Sequence, residues 1–144
     1  MDLTGFREER ILAIDFGIKR VGLALSDPLK IFAYPFKTIP NDNKLLESLG
    51  QIIKESYVVK IVLGYPLKEN GQKSETTLLV EKFKEEFESR INVPIILRDE
   101  RYSSQLAKEN IISSVTSKKK RRDKGLIDRN AASIILQEYL DEKH

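Results

Sequence analysis

Three acids in this sequence, Asp15, Glu100 and Asp128, stand where a carboxylate needs a chemical reason. Asp15 closes the apolar run Arg10-Ile-Leu-Ala-Ile-Asp15. That run does not alternate, so it reads as a central strand covered on both faces. An acid at the carboxyl end of such a strand sits where ligands of open α/β sheets bind; the alternative is a turn cap on the amides of Gly17 or Ile18. Asp99-Glu100-Arg101 follows another apolar run, Val93 to Leu97. A parallel arrangement of that strand with the first would bring Glu100 toward Asp15; the alternative is a solvated strand end with a carboxylate–arginine pair. Asp128 precedes Ala131, Ala132 and Ile135 by three, four and seven residues, which is helical spacing on one face. A carboxylate on a sheet-facing stripe costs several kcal/mol unless it is paired or holds a cation. The alternative is an N-cap, with Gly125 just upstream. Three converging acids repel and raise one another's pKa. One or two Mg²⁺ or Mn²⁺ ions would relieve this, since hard oxygen donors suit them. Two such ions about 4 Å apart can activate water against a phosphodiester.

The elements that must position these acids are legible in the hydrophobic pattern. Val21 to Leu25 follows the first strand closely enough for an antiparallel hairpin, with Gly17 and Lys19-Arg20 in the turn. Ile31 to Phe36 reads as a third strand, closed by Pro40, and Tyr57 to Leu63 as a fourth. Leu46, Leu49, Ile52 and Ile53 mark one face of a helix, and Leu79, Phe83 and Phe87 the face of another. Gln105 to Ile112 is expected to be helical, and Ile127 to Leu140 forms the last helix. The sum is an α/β domain: a meander of three strands extended by crossover strands.

Composition limits the chemistry. The chain of 144 residues is expected to form one domain over 1–144. Cysteine is absent and the only histidine is His144, which excludes thiol nucleophiles, disulfides and histidine-based triads. The polar start, Met1 to Arg10, and the lack of an apolar run near the roughly 20 residues of a membrane span point to the cytoplasm and to no membrane partner. The net charge of +3 is unevenly placed. Lys118, Lys119, Lys120, Arg121, Arg122 and Lys124 put six cations in seven positions just before Asp128. Alone, such a run is a solvated loop. Beside a metal-binding trio it would hold a phosphate backbone over the ions.

Four segments carry a resemblance to the YqgF (RuvX) family, described as Holliday junction resolvases and as pre-16S rRNA nucleases. They are Asp15-Phe-Gly-Ile-Lys-Arg20-Val-Gly22, Gly64-Tyr-Pro-Leu67 with Asn70-Gly71, Asp99-Glu100-Arg101-Tyr102-Ser103-Ser104, and Lys124-Gly-Leu-Ile-Asp128 with Ala131-Ala132 and Ile135-Leu136. The match spans about Ile11 to Leu140. Tyr65 and Tyr102 replace the leucines usual in that family. The resemblance implies a ribonuclease H-like fold: a five-stranded mixed sheet of order 3-2-1-4-5 flanked by helices. It implies metal-dependent phosphodiester hydrolysis by Asp15, Glu100 and Asp128. Related RuvC resolvases carry an acid at the end of the fourth strand, where this chain has Gly64 and Tyr65, so the second acid is expected on the fifth strand.

The expected function is a metal-dependent nuclease of structured nucleic acid, processing the 5′ end of pre-16S rRNA, with pre-ribosomal particles as a partner. Cleavage of four-way DNA junctions and a non-catalytic role in ribosome assembly are the alternatives. A phosphotransferase of the actin and sugar-kinase group shares the first-hairpin pattern but needs two such domains. Lys19, Arg20, Arg101, Lys118, Lys119, Lys120, Arg121, Arg122 and Lys124 are the expected phosphate contacts.

Overall fold

A computed structural model describes residues 8–100 and 124–143, with the backbone alone for 124–129. The elements are β1 (Arg10–Phe16), β2 (Arg20–Ser26), β3 (Ala33–Pro40), α1 (Leu45–Glu55), β4 (Val58–Tyr65), α2 (Glu75–Arg90), β5 (Ile95–Asp99) and α3 (Lys124–Lys143). The strands make one sheet of order β3-β2-β1-β4-β5, the order that the resemblance implies. β1, β2 and β3 are antiparallel neighbours, while β4 and β5 run parallel to β1. The three parallel strands therefore end at a common carboxyl edge.

Alternation along each strand sorts the core into two layers. Leu12, Ile14, Leu23, Ile61 and Leu63 pack with Leu49 of α1 and Phe83 and Phe87 of α2. Ile11, Ala13, Ala24 and Val62 face the other way, onto Ala132, Ile135, Leu136, Tyr139 and Leu140 of α3. The alanines on both sides of that second layer let α3 approach the sheet closely. Tyr139 accepts a hydrogen bond from Lys60 Nζ at 3.0 Å, near the start of β4, while Ile135 reaches Gly64 near its end. The helix thus runs antiparallel to β4, and its N-terminal residues lie toward the carboxyl edge.

Several elements depart from the sequence reading: α3 runs from Lys124 to Lys143 and not Ile127 to Leu140, and the buried face of α1 opens at Leu45 and not Leu46; three further departures have a physical reason. β3 begins at Ala33 and continues to Pro40, where the pattern predicts Ile31 to Phe36. It is an edge strand, so Pro35 and Pro40 are tolerated inside it. β5 spans Ile95–Asp99 and not Val93 to Leu97, because Pro94 has no N–H for the ladder; its carbonyl accepts from Ile61 N at 2.8 Å. In α2 the buried face is Thr77, Val80, Phe83 and Phe87, and Leu79 is 41 % exposed. The predicted stripe of Leu79, Phe83 and Phe87 is corrected at its first member, since the cap at Ser74 fixes where the helix starts and so which residue turns inward. Ser74 accepts from Thr77 N at 3.2 Å and its own N–H donates to Thr77 Oγ1 at 2.9 Å, a capping box. The helix expected over Gln105 to Ile112 lies outside the described residues. Among the described residues no helix is long and apolar enough to cross a membrane.

Candidate active site at the carboxyl edge of the sheet

Asp15 lies inside β1, one residue before its end, so it is a strand residue and not part of the turn that follows. Gly17 makes that turn possible: a Cβ there would stand 2.5 Å from the Arg20 carbonyl oxygen. Asn41 pins it from outside, donating through Nδ2 to Gly17 O at 2.7 Å. By alternation Asp15 shares the α3 face with Ile11 and Ala13.

Both strand neighbours of Asp15 are glycines. Gly22 of β2 is its direct pairing partner. On β4 the register Ile14–Leu63 brings Gly64 level with Asp15 one residue later. Adjacent strands are about 4.8 Å apart. The α3 face around Asp15 therefore lacks a side chain on either side.

Glu100 occupies one of those vacated volumes. Gly64 pairs with Arg98 on β5, and Glu100 follows two residues on, on the same face as Arg98 and Ile96. A Cβ built on Gly64 would collide with Glu100 Oε2, stand 3.0 Å from Glu100 Cδ and 3.1 Å from Ile135 Cδ1. The carboxylate of Glu100 thus lies where a residue-64 side chain would be, one strand from Asp15. At 7 % exposure it is not the solvated strand-end acid of the alternative reading. Gly64, near the end of β4, thus admits the carboxylate of the residue that follows β5.

Asp128 is the fifth residue of α3, so its backbone stands inside the helix and not at an N-cap. Its side chain lies outside the described residues. Among the described residues no three of His, Cys, Asp or Glu cluster as metal ligands; Asp15 and Glu100 are the two members of the expected trio whose side chains are described. What is described fits a hard divalent cation: the donors are carboxylate oxygens, and the Gly64 cradle seats one of them beside the other.

Of the expected phosphate contacts, Lys19 is exposed in the β1–β2 turn, and Arg20 begins β2 half-buried. Arg20 alternates with Gly22 and so shares the Asp15 face. Arg101, Lys118, Lys119, Lys120, Arg121 and Arg122 lie outside the described residues, and Lys124 is described in backbone alone, as the first residue of α3.

Two supports of the site have no signal in the sequence pattern. Arg98 clamps α3 to β5: its guanidinium donates to both oxygens of Glu142 at 2.7 Å and lies 3.5 Å from Glu138. The bidentate pair holds the Glu142 carboxyl below its ordinary range. Tyr65, on the opposite face of β4, packs against the α1/α2 core and donates its hydroxyl to Glu81 Oε2 at 2.7 Å. Lys73 Nζ reaches the same oxygen at 2.8 Å. The bond from Lys73, then that from Tyr65, holds Glu81 below its ordinary 4.5. A depressed carboxyl stabilises the fold above its unfolded pKa and loses that contribution as pH falls through the folded one. Glu81→Gln should accordingly lower the melting temperature at pH 7, and the gap from the native chain should close as pH drops below 4.5; a gap independent of pH would contradict the assignment.

A family model described as "RuvX: Holliday junction resolvase" matches residues 9–142. A "Putative pre-16S rRNA nuclease" of Chlorobium phaeobacteroides (strain BS1) is 41 % identical over 92 % of this chain and 92 % of its own. Among solved structures, the Fowlpox virus resolvase in complex with Holliday junction DNA superposes with a TM-score of 0.56 at 16 % identity, covering 93 % of this chain and 98 % of that one. The RuvC of T. thermophilus in complex with a Holliday junction substrate gives 0.54 at 13 % identity, covering 88 % and 91 %. At such identities these two speak for the fold, which is ribonuclease H-like. The chain belongs to the RuvX family of nucleases, enzymes that hydrolyse phosphodiester bonds.

Proposed function

We propose that this chain is a divalent-metal-dependent nuclease of structured nucleic acid, a single domain over 1–144 that processes the 5′ end of pre-16S rRNA in the cytoplasm on pre-ribosomal particles. The observation that carries the reading is the buried carboxylate of Glu100 seated over Gly64 beside Asp15. Asp15, Glu100 and Asp128 would hold one or two Mg²⁺ or Mn²⁺ ions, which when bound activate water and stabilise the leaving oxygen of a phosphodiester. The rest is the work of the chain. Gly64 leaves the volume beside Asp15 that the Glu100 carboxylate takes. Burial of Glu100 keeps bulk water from one side of the site and strengthens its pull on a cation. Lys19 and Arg20, beside Asp15 in the chain, would offset the charge of the entering backbone. Arg101 and the stretch from Lys118 to Lys124 (Lys119, Lys120, Arg121 and Arg122 between them) would hold the flanking phosphates, which is contact without sequence preference.

The rRNA substrate is favoured because the curated relative is named for it; the description of the family model favours a second reading, cleavage of four-way DNA junctions. Incubating the purified chain with a labelled pre-16S precursor and with a synthetic junction, in Mg²⁺ or Mn²⁺, separates them. The expected result is cutting of the precursor near its mature 5′ end and an intact junction. Cutting of the junction alone supports the second reading. Binding of the precursor with neither substrate cut would leave an assembly factor and no nuclease.

A further inference from the structure

Outside the candidate site, the edge strand and the residue before it expose three aromatic rings that the core does not use. Phe32, Tyr34 and Phe36 are 58 %, 51 % and 37 % exposed. The residues between them are held from the α3 side. Ala33 packs on the α3 layer; its N–H donates to Gln137 Oε1 at 2.9 Å, and Gln137 Nε2 donates to Ile31 O at 2.9 Å. Tyr34 pairs with Leu25, which belongs to the opposite layer, so its ring leaves the sheet on the side away from α3. Lys30 and Lys37 bracket the segment, and Lys37 Nζ stands 4.9 Å from the centroid of the Phe36 ring.

An exposed apolar edge ordinarily invites another strand. Here Pro35 and Pro40 remove two N–H groups from β3, and the register shifts between the partners Leu23 and Ala24; both features oppose edge-to-edge pairing. Rings bracketed by cations suit a different polymer, because bases stack on aromatic faces whatever their sequence and lysines neutralise the phosphates between them. Phe32 precedes the strand and Phe36 falls at the register shift opposite Leu23 and Ala24, so the rings are not held at the regular spacing of about 3.4 Å between stacked bases of a duplex strand. That irregularity fits bases separated from one another, as in a single strand, and not a duplex, whose base faces are covered. β3 runs parallel to β1, so Pro40 ends at the edge that carries Asp15; Thr38 is level with Asp15 through Gly22, and the rings lie roughly 7–20 Å back from it along the chain.

We propose that Phe32, Tyr34 and Phe36 form a stacking platform for single-stranded nucleic acid, seating an unpaired extension of the substrate whose structured part is cut at the Asp15 edge. The identity of the polymer rests on the nuclease reading, and binding measured without metal tests the platform separately from cutting. In EDTA, fluorescence anisotropy of a labelled uridine 12-mer should show the Tyr34→Ala/Phe36→Ala chain binding at least tenfold more weakly than the native chain. The Tyr34→Leu/Phe36→Leu chain, still apolar but without rings, should lose as much. Affinity for a duplex of equal length should stay within twofold, and thermal melts should show both variants folded. Unchanged 12-mer binding by the leucine variant would overturn the platform, as would equal losses for duplex and single strand. So would a native dimer in light scattering that Tyr34→Ala dissolves, which would make this face a contact between copies. Survival of cutting in Asp15→Asn would remove the nuclease site and leave the platform measurement standing.

Discussion

Replacing Gly64 with alanine is expected to lower cleavage about a hundredfold, the scale on which a misplacement near 1 Å penalises a catalytic group. The added Cβ would overlap Glu100 Oε2 and stand 3.0 Å from Glu100 Cδ and 3.1 Å from Ile135 Cδ1. The Glu100 carboxylate must shift, and Ile135 must give by a few tenths of an ångström. Overpacking of this kind costs about 1–3 kcal/mol of stability, so urea unfolding should register it as well. The two effects can be pulled apart. Ile135→Val removes the Cδ1 that the new methyl meets and leaves Glu100 crowded. The double variant should be about as stable as Ile135→Val alone while cleavage stays low. Recovery of cleavage as well would mean that crowding of α3, and not displacement of Glu100, was responsible.

Asp15→Asn should reduce cleavage about a thousandfold or more, since the several kcal/mol of charge stabilisation that a bound ion provides depend on its ligands. The amide has the shape of the acid and keeps the β1–β2 pairing with Gly22, so melting behaviour should change little. Affinity for nucleic acid in EDTA should hold or rise, because the substitution removes a negative charge from the path of a polyanion. A variant that binds and still cuts would show that Asp15 is no ligand in the reaction. The measurement pairs single-turnover cleavage with anisotropy on the same preparation.

Much of this arrangement can be read from the chain before folding. The unbroken apolar run ending at Asp15 reports a strand covered on both faces, and β1 is the middle strand of five. Its pairing with β2 follows from the short turn at Gly17. The inward stripe of the last helix, Ala131, Ala132 and Ile135, is buried as its spacing predicts. What could not be read depends on neighbours far along the chain. Leu79 and Val80 are equally apolar; the turn of helix set by the Ser74 cap decides which is inside. Pro35 argues against a strand in general, and only an edge position makes it acceptable. The role of Gly64 is the clearest case. In sequence Gly64 and Tyr65 occupy the region where the resemblance to RuvC resolvases would put an acid. In space the same glycine admits the carboxylate of Glu100 from the next strand, a relation between residues 36 positions apart that no local pattern encodes. The clamp from Arg98 to Glu142 escapes sequence reading for the same reason.

Carboxylates from separate elements, Asp15, Glu100 and Asp128, are proposed to share one divalent-ion site at the carboxyl edge of the sheet. A crystal soaked in Mn²⁺ and measured at a wavelength where manganese scatters anomalously tests it most directly. An anomalous peak is expected between Asp15 and the Glu100 carboxylate over Gly64, within coordination reach of Asp128, and its loss is expected in Asp15→Asn crystals. A map with no peak there, or with the three carboxylates turned to separate surfaces, would contradict it.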